Sequence, residues 1–125
     1  MAGLTLDTGA LIAADRGDRV FFIFLKEATR RAATITVPAG ALAQAWRGNN
    51  ARLARLLKAC VVEPLDERTA REIGTLLAEA RTRDVVDASV VVAASRRGDA
   101  ILTSDESDIS HLVSTLGSHN RVLEI

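Results

Sequence analysis

The 125-residue chain predicts an α/β fold: a three-layer α/β/α sandwich around a short, mostly parallel sheet, in a single domain over residues 1–125. Two observations carry this. Short apolar or β-branched runs alternate with segments whose apolar residues recur every three to four positions. The composition, 48% apolar and 26% charged, is that of an ordinary globular domain, without repeats, linkers or low-complexity segments.

The elements follow in order. Residues 2–6 read as a short strand running into Asp7, and Ala10–Ala13 as the first turn of a helix. Val20, Ile23, Phe24 and Ala28 mark a helix between Arg19 and Arg31. Ile35-Thr36-Val37 is a β-branched strand, and Pro38 suits the first position of a helix reaching Arg47, where Gly48-Asn49-Asn50 breaks it. Leu53, Leu56, Leu57 and Cys60 form a one-sided helical stripe, and Val61-Val62 before Pro64 reads as an edge strand. Asp66 can cap a helix carrying Ala70, Ile73, Leu77 and Ala80. Residues 85–97 have strand propensity at Val85-Val86 and Val90–Val92, but their length and a capping Asp84 favour a buried helix. Residues 100–103 form a strand, Ile109, Leu112 and Leu116 a helical stripe, and residues 121–125 a closing strand.

Sixteen basic residues balance sixteen acidic ones, and that average argues against general nucleic-acid or membrane-surface binding. It conceals a segmentation: residues 1–27 carry net −1, residues 28–62 carry +6 with no carboxylate, and residues 63–125 carry −5. The single Cys60 and two histidines exclude an internal disulfide and a Cys–His zinc site. No apolar run approaches the roughly 18–20 residues of a membrane span, and the opening MAGLTLD lacks the pattern of a secretory signal, so the cytoplasm is the expected location.

In an open parallel sheet, functional groups collect beyond the carboxyl ends of the strands. Asp7 ends the first strand, Asp105 follows the strand 100–103 by two residues, and Asp84 and Asp87 open the helix 85–97 at a spacing that places both on one side. With Asp108, up to five carboxylates gather at one sheet edge. Such a group needs a compensating cation, and hard ions such as Mg²⁺ or Mn²⁺ take oxygen ligands of this kind. Each acid also has a structural reading: Asp84 as a helix cap, Asp87 as a partner of the helix dipole, Asp105 and, less directly, Asp108 as caps of the next helix. Asp7 resists such a reading, because it follows a near-apolar strand. Asp7-Thr8-Gly9 also matches the Asp-Thr-Gly signature of aspartic proteases, but that fold is all-β and the helical periods here exclude it.

The segments Leu4–Ile12, Asp84-Val85-Val86-Asp87-Ala88 and Ile101-Leu102-Thr103-Ser104-Asp105 together resemble, in order and spacing, the PIN-domain ribonucleases, above all the VapC toxins of VapBC toxin–antitoxin pairs. The resemblance covers essentially the whole chain. It implies a Mg²⁺- or Mn²⁺-dependent endoribonuclease, a homodimer and a cognate antitoxin. By position, Asp7, Asp87 and Asp105 match the family's first, third and fourth acidic residues, Asp84 an often acidic neighbour, and Thr103 a polar accessory position. Two departures stand out: Gly9 where the family usually has Ser, and Gln44 where a catalytic glutamate normally stands.

Gln44 can offer its carbonyl oxygen but no charge, so weaker metal binding, one ion rather than two, and slow catalysis are expected. On this reading Asp7, Asp87 and Asp105 hold the ion, with Asp84, Thr103 and Asp108 as accessory groups. Arg47, Arg16 and Arg96 are the candidate RNA-steering residues. Trp46 is expected in the core or a dimer interface, Cys60 as a buried apolar residue, and neither His111 nor His119 as a catalytic base. The alternative function is a catalytically weak or inactive module of the same fold that binds RNA or a partner protein.

Overall fold

Strand β1 (Leu4–Leu6) is buried at every residue, and the sheet is built outward from it. The computed structural model describes residues 3–125; Met1 and Ala2, the latter the first residue of the expected opening strand, lie outside them. After β1 come α1 (Thr8–Asp15), α2 (Arg19–Arg30), β2 (Ile35–Pro38), α3 (Ala39–Ala45), α4 (Ala51–Leu57) and β3 (Val61–Glu63). Then follow α5 (Glu67–Ala80), α6 (Val85–Arg97), β4 (Ala100–Thr103), α7 (Glu106–Leu116) and β5 (Val122–Glu124).

The sheet order is β3-β2-β1-β4-β5 and every pairing is parallel, with Leu4 opposite Ile35 and Ala100, and Leu6 opposite Leu102. Strands β1, β2 and β4, covered on both faces, are apolar apart from the buried Thr5, Thr36 and Thr103, and the helices form the outer layers of an α/β/α sandwich. At the β3 edge, Val61 and Val62 are exposed. The chain lays β1, β2 and β3 outward in one direction, then returns to place β4 on the other side of β1. The order therefore reverses between β1 and β4, and the crevice beyond their carboxyl ends is where such sheets place ligands.

Residues 85–97 are helical despite their valines, and the reason is burial. Ala88 through Ala94 are all buried, because α6 meets β1, β2 and β4 on one side and α3, α5 and α7 on the others. A helix enclosed all round carries no polar stripe. Asp66 and Asp84 cap α5 and α6 as expected, accepting from the amides of Thr69 at 2.8 Å and Asp87 at 2.9 Å.

Three expectations need correction. Pro38 closes β2 opposite Glu63 and precedes α3 instead of sitting in its first turn. α3 stops at Ala45, short of Arg47, because Asn50 Oδ1 takes the Arg47 amide at 2.7 Å while Asn50 Nδ2 donates to Asp15 at 3.0 Å. Of the two places expected for Trp46, which ends α3 in extended conformation, its 39% exposure corrects the core and leaves a dimer interface open.

Candidate active site

Asp7 is 3% exposed, yet its charge is not stranded. Its backbone N–H continues the ladder to Leu102 O at 3.1 Å, and its side chain caps α1, Oδ1 accepting from the Ala10 amide at 2.8 Å. Oδ2 accepts from the hydroxyl of Thr103, a fully buried residue at the end of β4. Thr103 Oγ1 in turn accepts from the Asp105 amide at 2.8 Å. One hydroxyl thus ties the ends of β1 and β4 together across the switch point. Burial raises the Asp7 pKa, while hydrogen bonds from Thr103, Ala10 and Ser104 oppose the rise.

The remaining acids converge on the same edge. Asp87 lies in the first turn of α6, and Asp105 and Asp108 stand three residues apart at the start of α7. One carboxylate oxygen from each of these three lies within 4.8 Å of the other two. Asp87 Oδ2 is buried and has no hydrogen-bond partner. Burial, followed by repulsion from Asp84, Asp105, Asp7 and Asp108, pushes the Asp87 carboxyl up to about 7. Partial burial and then Asp108 push Asp105 up as well. A buried oxygen without a donor, among carboxylates that raise one another's pKa, is a set that a hard divalent cation satisfies and a water-filled surface does not require.

Gln44 is exposed on α3, beside Asp7's own helix: its Oε1 accepts from the Thr8 hydroxyl at 2.8 Å. Together with Arg16, Arg47, Ile12, Asp15 and Asn50 it lines a cleft of about 250 Å³. Neither Arg16 nor Arg47 is ion-paired among the described residues. Arg96 lies elsewhere. It stands nine residues beyond Asp87, about 13 Å along α6, and bonds Glu63, Thr69 and Glu72. That location makes it a tie between α6, β3 and α5 and removes it from the acidic edge.

The structure therefore gathers Asp7, Asp84, Asp87, Asp105, Asp108 and Thr103, ties Gln44 to Thr8 next to Asp7, places Arg16 and Arg47 in the cleft that Gln44 lines, and leaves Arg96 at the far end of α6. Two neighbours have no signal in the sequence. Thr8 anchors Gln44, and Ser104 fills the space above Gly9, where a Cβ would lie 1.8 Å from Ser104 Oγ. Cys60 is half-buried, donates to Leu56 O at 3.2 Å and has its thiol pushed up to about 11 by burial, which makes it a poor nucleophile. His111 bonds Ala80 O at 2.8 Å and His119 is exposed.

No curated protein sequence matches the chain. Among solved structures, the fold is similar to that in the crystal structure of VapBC2 from Rickettsia felis bound to a DNA fragment from their promoter, with a TM-score of 0.68, 13% identity and 98% of each chain covered. It is also similar to that in DNA-bound VapBC from Salmonella typhimurium, with a TM-score of 0.63, 14% identity, and 99% of this chain and 98% of the other covered. The sequence model of the PIN domain matches residues 4–112, which contain β1 to β4, the switch point and every acid described above. On that match, and on a parallel sheet that brings its acids to the β1–β4 crevice, the chain belongs to the PIN domain family.

Proposed function

We propose that the chain is a divalent-metal-dependent endoribonuclease, the toxin component of a type II toxin–antitoxin pair. The observation that carries the reading is Asp87 Oδ2, buried and without a donor, in a group of carboxylates at the switch point of a PIN fold. Asp7, Asp87 and Asp105 would hold Mg²⁺ or Mn²⁺, with Asp108 beside them. When bound, the ion supplies a Lewis acid that acidifies water for attack on phosphorus and offsets charge developing on the phosphate. The chain's own groups do the rest. Thr103 fixes Asp7 and the Asp105 backbone in one arrangement, and Arg16 and Arg47 attract the RNA backbone into the cleft beside Gln44. The family membership and the VapBC neighbours support an antitoxin protein as partner, and a second copy of the chain is the further partner of this reading. No helix of the described residues is long and apolar enough to cross a membrane.

The test is incubation of purified, antitoxin-free protein with total RNA, with and without Mn²⁺. The reading expects metal-dependent fragments that vanish in Asp7→Asn and Asp87→Asn. Intact RNA and no heat of Mn²⁺ binding would instead favour a non-catalytic module of the same fold, which the neutral side chain at position 44 would suit.

A further inference from the structure

We propose that Arg81 and Arg83, on the loop between α5 and α6, form a second arm for the RNA strand, which then crosses the acidic crevice between this pair and the pair Arg16 and Arg47. This rests on the nuclease reading and names a further part of its substrate site.

Placement is the first argument. Asp84 caps α6 and stands with Asp87 at the acidic edge. Arg83 is its neighbour in the chain, and Arg81 precedes it by three residues. The other end of the loop is fixed at the same edge. His111 Nε2 donates to Ala80 O at 2.8 Å, and His111 stands three residues beyond Asp108, about 4.5 Å along α7. Because α6 packs against both α3 and α5, the cleft of Arg16 and Arg47 and the loop of Arg81 and Arg83 flank the carboxylates at its start.

The second argument is charge. Arg81 and Arg83 are exposed, and neither is ion-paired among the described residues, whereas α5 pairs Arg68 with Glu72 and Arg71 with Glu67. Unpaired guanidinium groups take phosphate oxygens, and a strand held on both sides of the bond to be cut is fixed over it.

The third argument is the backbone. α5, α6 and α7 all end on a residue in the left-handed conformation. Gly98 at φ 70° and Gly117 at φ 75° fill that place on α6 and α7, where no Cβ opposes it. On α5 it is Arg81, at φ 58° and ψ 45°. An L side chain is strained there, and among the described residues only Ala32 shares the condition. Strain of this kind persists at functional sites, and what Arg81 adds to the loop over glycine is a free cation.

The experiment uses the purified, antitoxin-free chain and a fluorescein-labelled single-stranded oligoribonucleotide. Binding is read by anisotropy in excess chelator over a series of NaCl concentrations, cleavage by initial rates in Mn²⁺, and stability by thermal melts. Arg81→Gly should raise Tm by about 2–4 °C and yet weaken RNA binding about three- to tenfold. The salt dependence of binding should become shallower by about 0.7 in the log–log slope, the share of one phosphate contact on a single strand. In cleavage, KM should rise by the same factor with kcat unchanged. Arg83→Ala should lose the same slope. Arg121→Ala removes an equal charge at the amino ends of the strands, away from the carboxylates, and should change Kd by less than about twofold.

A lower Tm in Arg81→Gly would mark Arg81 as a cap of α5 and overturn the assignment. So would binding of labelled polyglutamate, in place of the RNA, through these two arginines. If the wild-type protein binds and cleaves RNA while Arg81→Gly and Arg83→Ala match it in affinity and slope, only this assignment fails. If the wild-type protein neither binds nor cleaves RNA, the nuclease reading fails with it.

Discussion

Gly9→Ala is a small substitution that the structure expects to be costly. An ideal Cβ at position 9 would lie 1.8 Å from Ser104 Oγ, 2.6 Å from Ser104 Cβ and 3.4 Å from Ser104 N. Rotating the Ser104 hydroxyl away relieves the first contact. It cannot relieve the second, because Cβ is fixed by the backbone. Carbon atoms in contact sit about 3.5–4.0 Å apart, so the start of α1 and the end of β4 must separate by about 1 Å. Overpacking of this kind costs about 1–3 kcal/mol, or a Tm about 4–12 °C lower for a domain of this size. The displaced backbone lies between Thr103 and Asp105, so Mn²⁺ affinity should fall together with Tm. The assay is a double-mutant cycle of Gly9→Ala and Ser104→Gly, read by thermal melts and Mn²⁺ titration. Ser104→Gly removes both offending atoms, so the double variant should recover at least half of the loss, a coupling of about 1 kcal/mol. A Gly9→Ala protein that melts within 1 °C of wild type, or strictly additive losses in the double variant, would refute this account of the β1–β4 junction.

Other outcomes follow from the same contacts. Thr103→Val leaves a buried Asp7 oxygen and the Asp105 amide without their partner; it should cost about 1–3 kcal/mol in melts and also weaken Mn²⁺ binding in titrations. Asp87 carries a pKa raised from 3.8 to about 7, so the native apoprotein binds more protons than the unfolded chain between those values. Apoprotein stability should therefore fall as pH rises from 4 to 7, while Mn²⁺ affinity, which requires the proton to leave, should rise about tenfold per pH unit below 7. Asp87→Asn should abolish that slope in calorimetry at pH 6 and 8. At the opposite edge of the sheet, the buried Asp99 accepts from the Gly3 amide, the Thr5 hydroxyl and Arg97 Nε at 2.8–2.9 Å. Asp99→Ala should lower stability by about 3–5 kcal/mol in denaturant unfolding and leave the Mn²⁺ affinity of the folded protein unchanged.

What was legible in the sequence was whatever depends on local pattern. The alternation of strand and helix, the edge position of Val61-Val62, and the caps at Asp66 and Asp84 all follow from periodicity and short-range hydrogen bonding. The carboxylates were legible because parallel sheets deliver strand ends to one edge, and the structure brings Asp7, Asp87, Asp105 and Asp108 there. What the pattern could not reveal rests on contacts between distant residues. Asp7 looked stranded because its partner Thr103 lies ninety-six residues away, and the Thr8 hydroxyl that bonds Gln44 across thirty-six residues has no signal in the pattern. Arg96 sits on the same helix as Asp87, and only its contacts with Glu63 and Glu72 show that it belongs to the other end. The early end of α3 has the same origin, in the side chain of Asn50.

The central claim is that the acidic crevice uses a divalent ion to drive attack of water on an RNA phosphodiester. The most direct measurement is the chemistry of the RNA ends left by the wild-type protein and by Asp87→Asn, in Mn²⁺ and in excess chelator. Attack by water yields linear phosphate ends, whereas metal-independent attack by the RNA's own 2′-hydroxyl yields 2′,3′-cyclic phosphates. The account predicts linear ends produced only by the wild-type protein and only with Mn²⁺. Cyclic phosphate ends, or cleavage that survives chelator or the loss of Asp87, would contradict it.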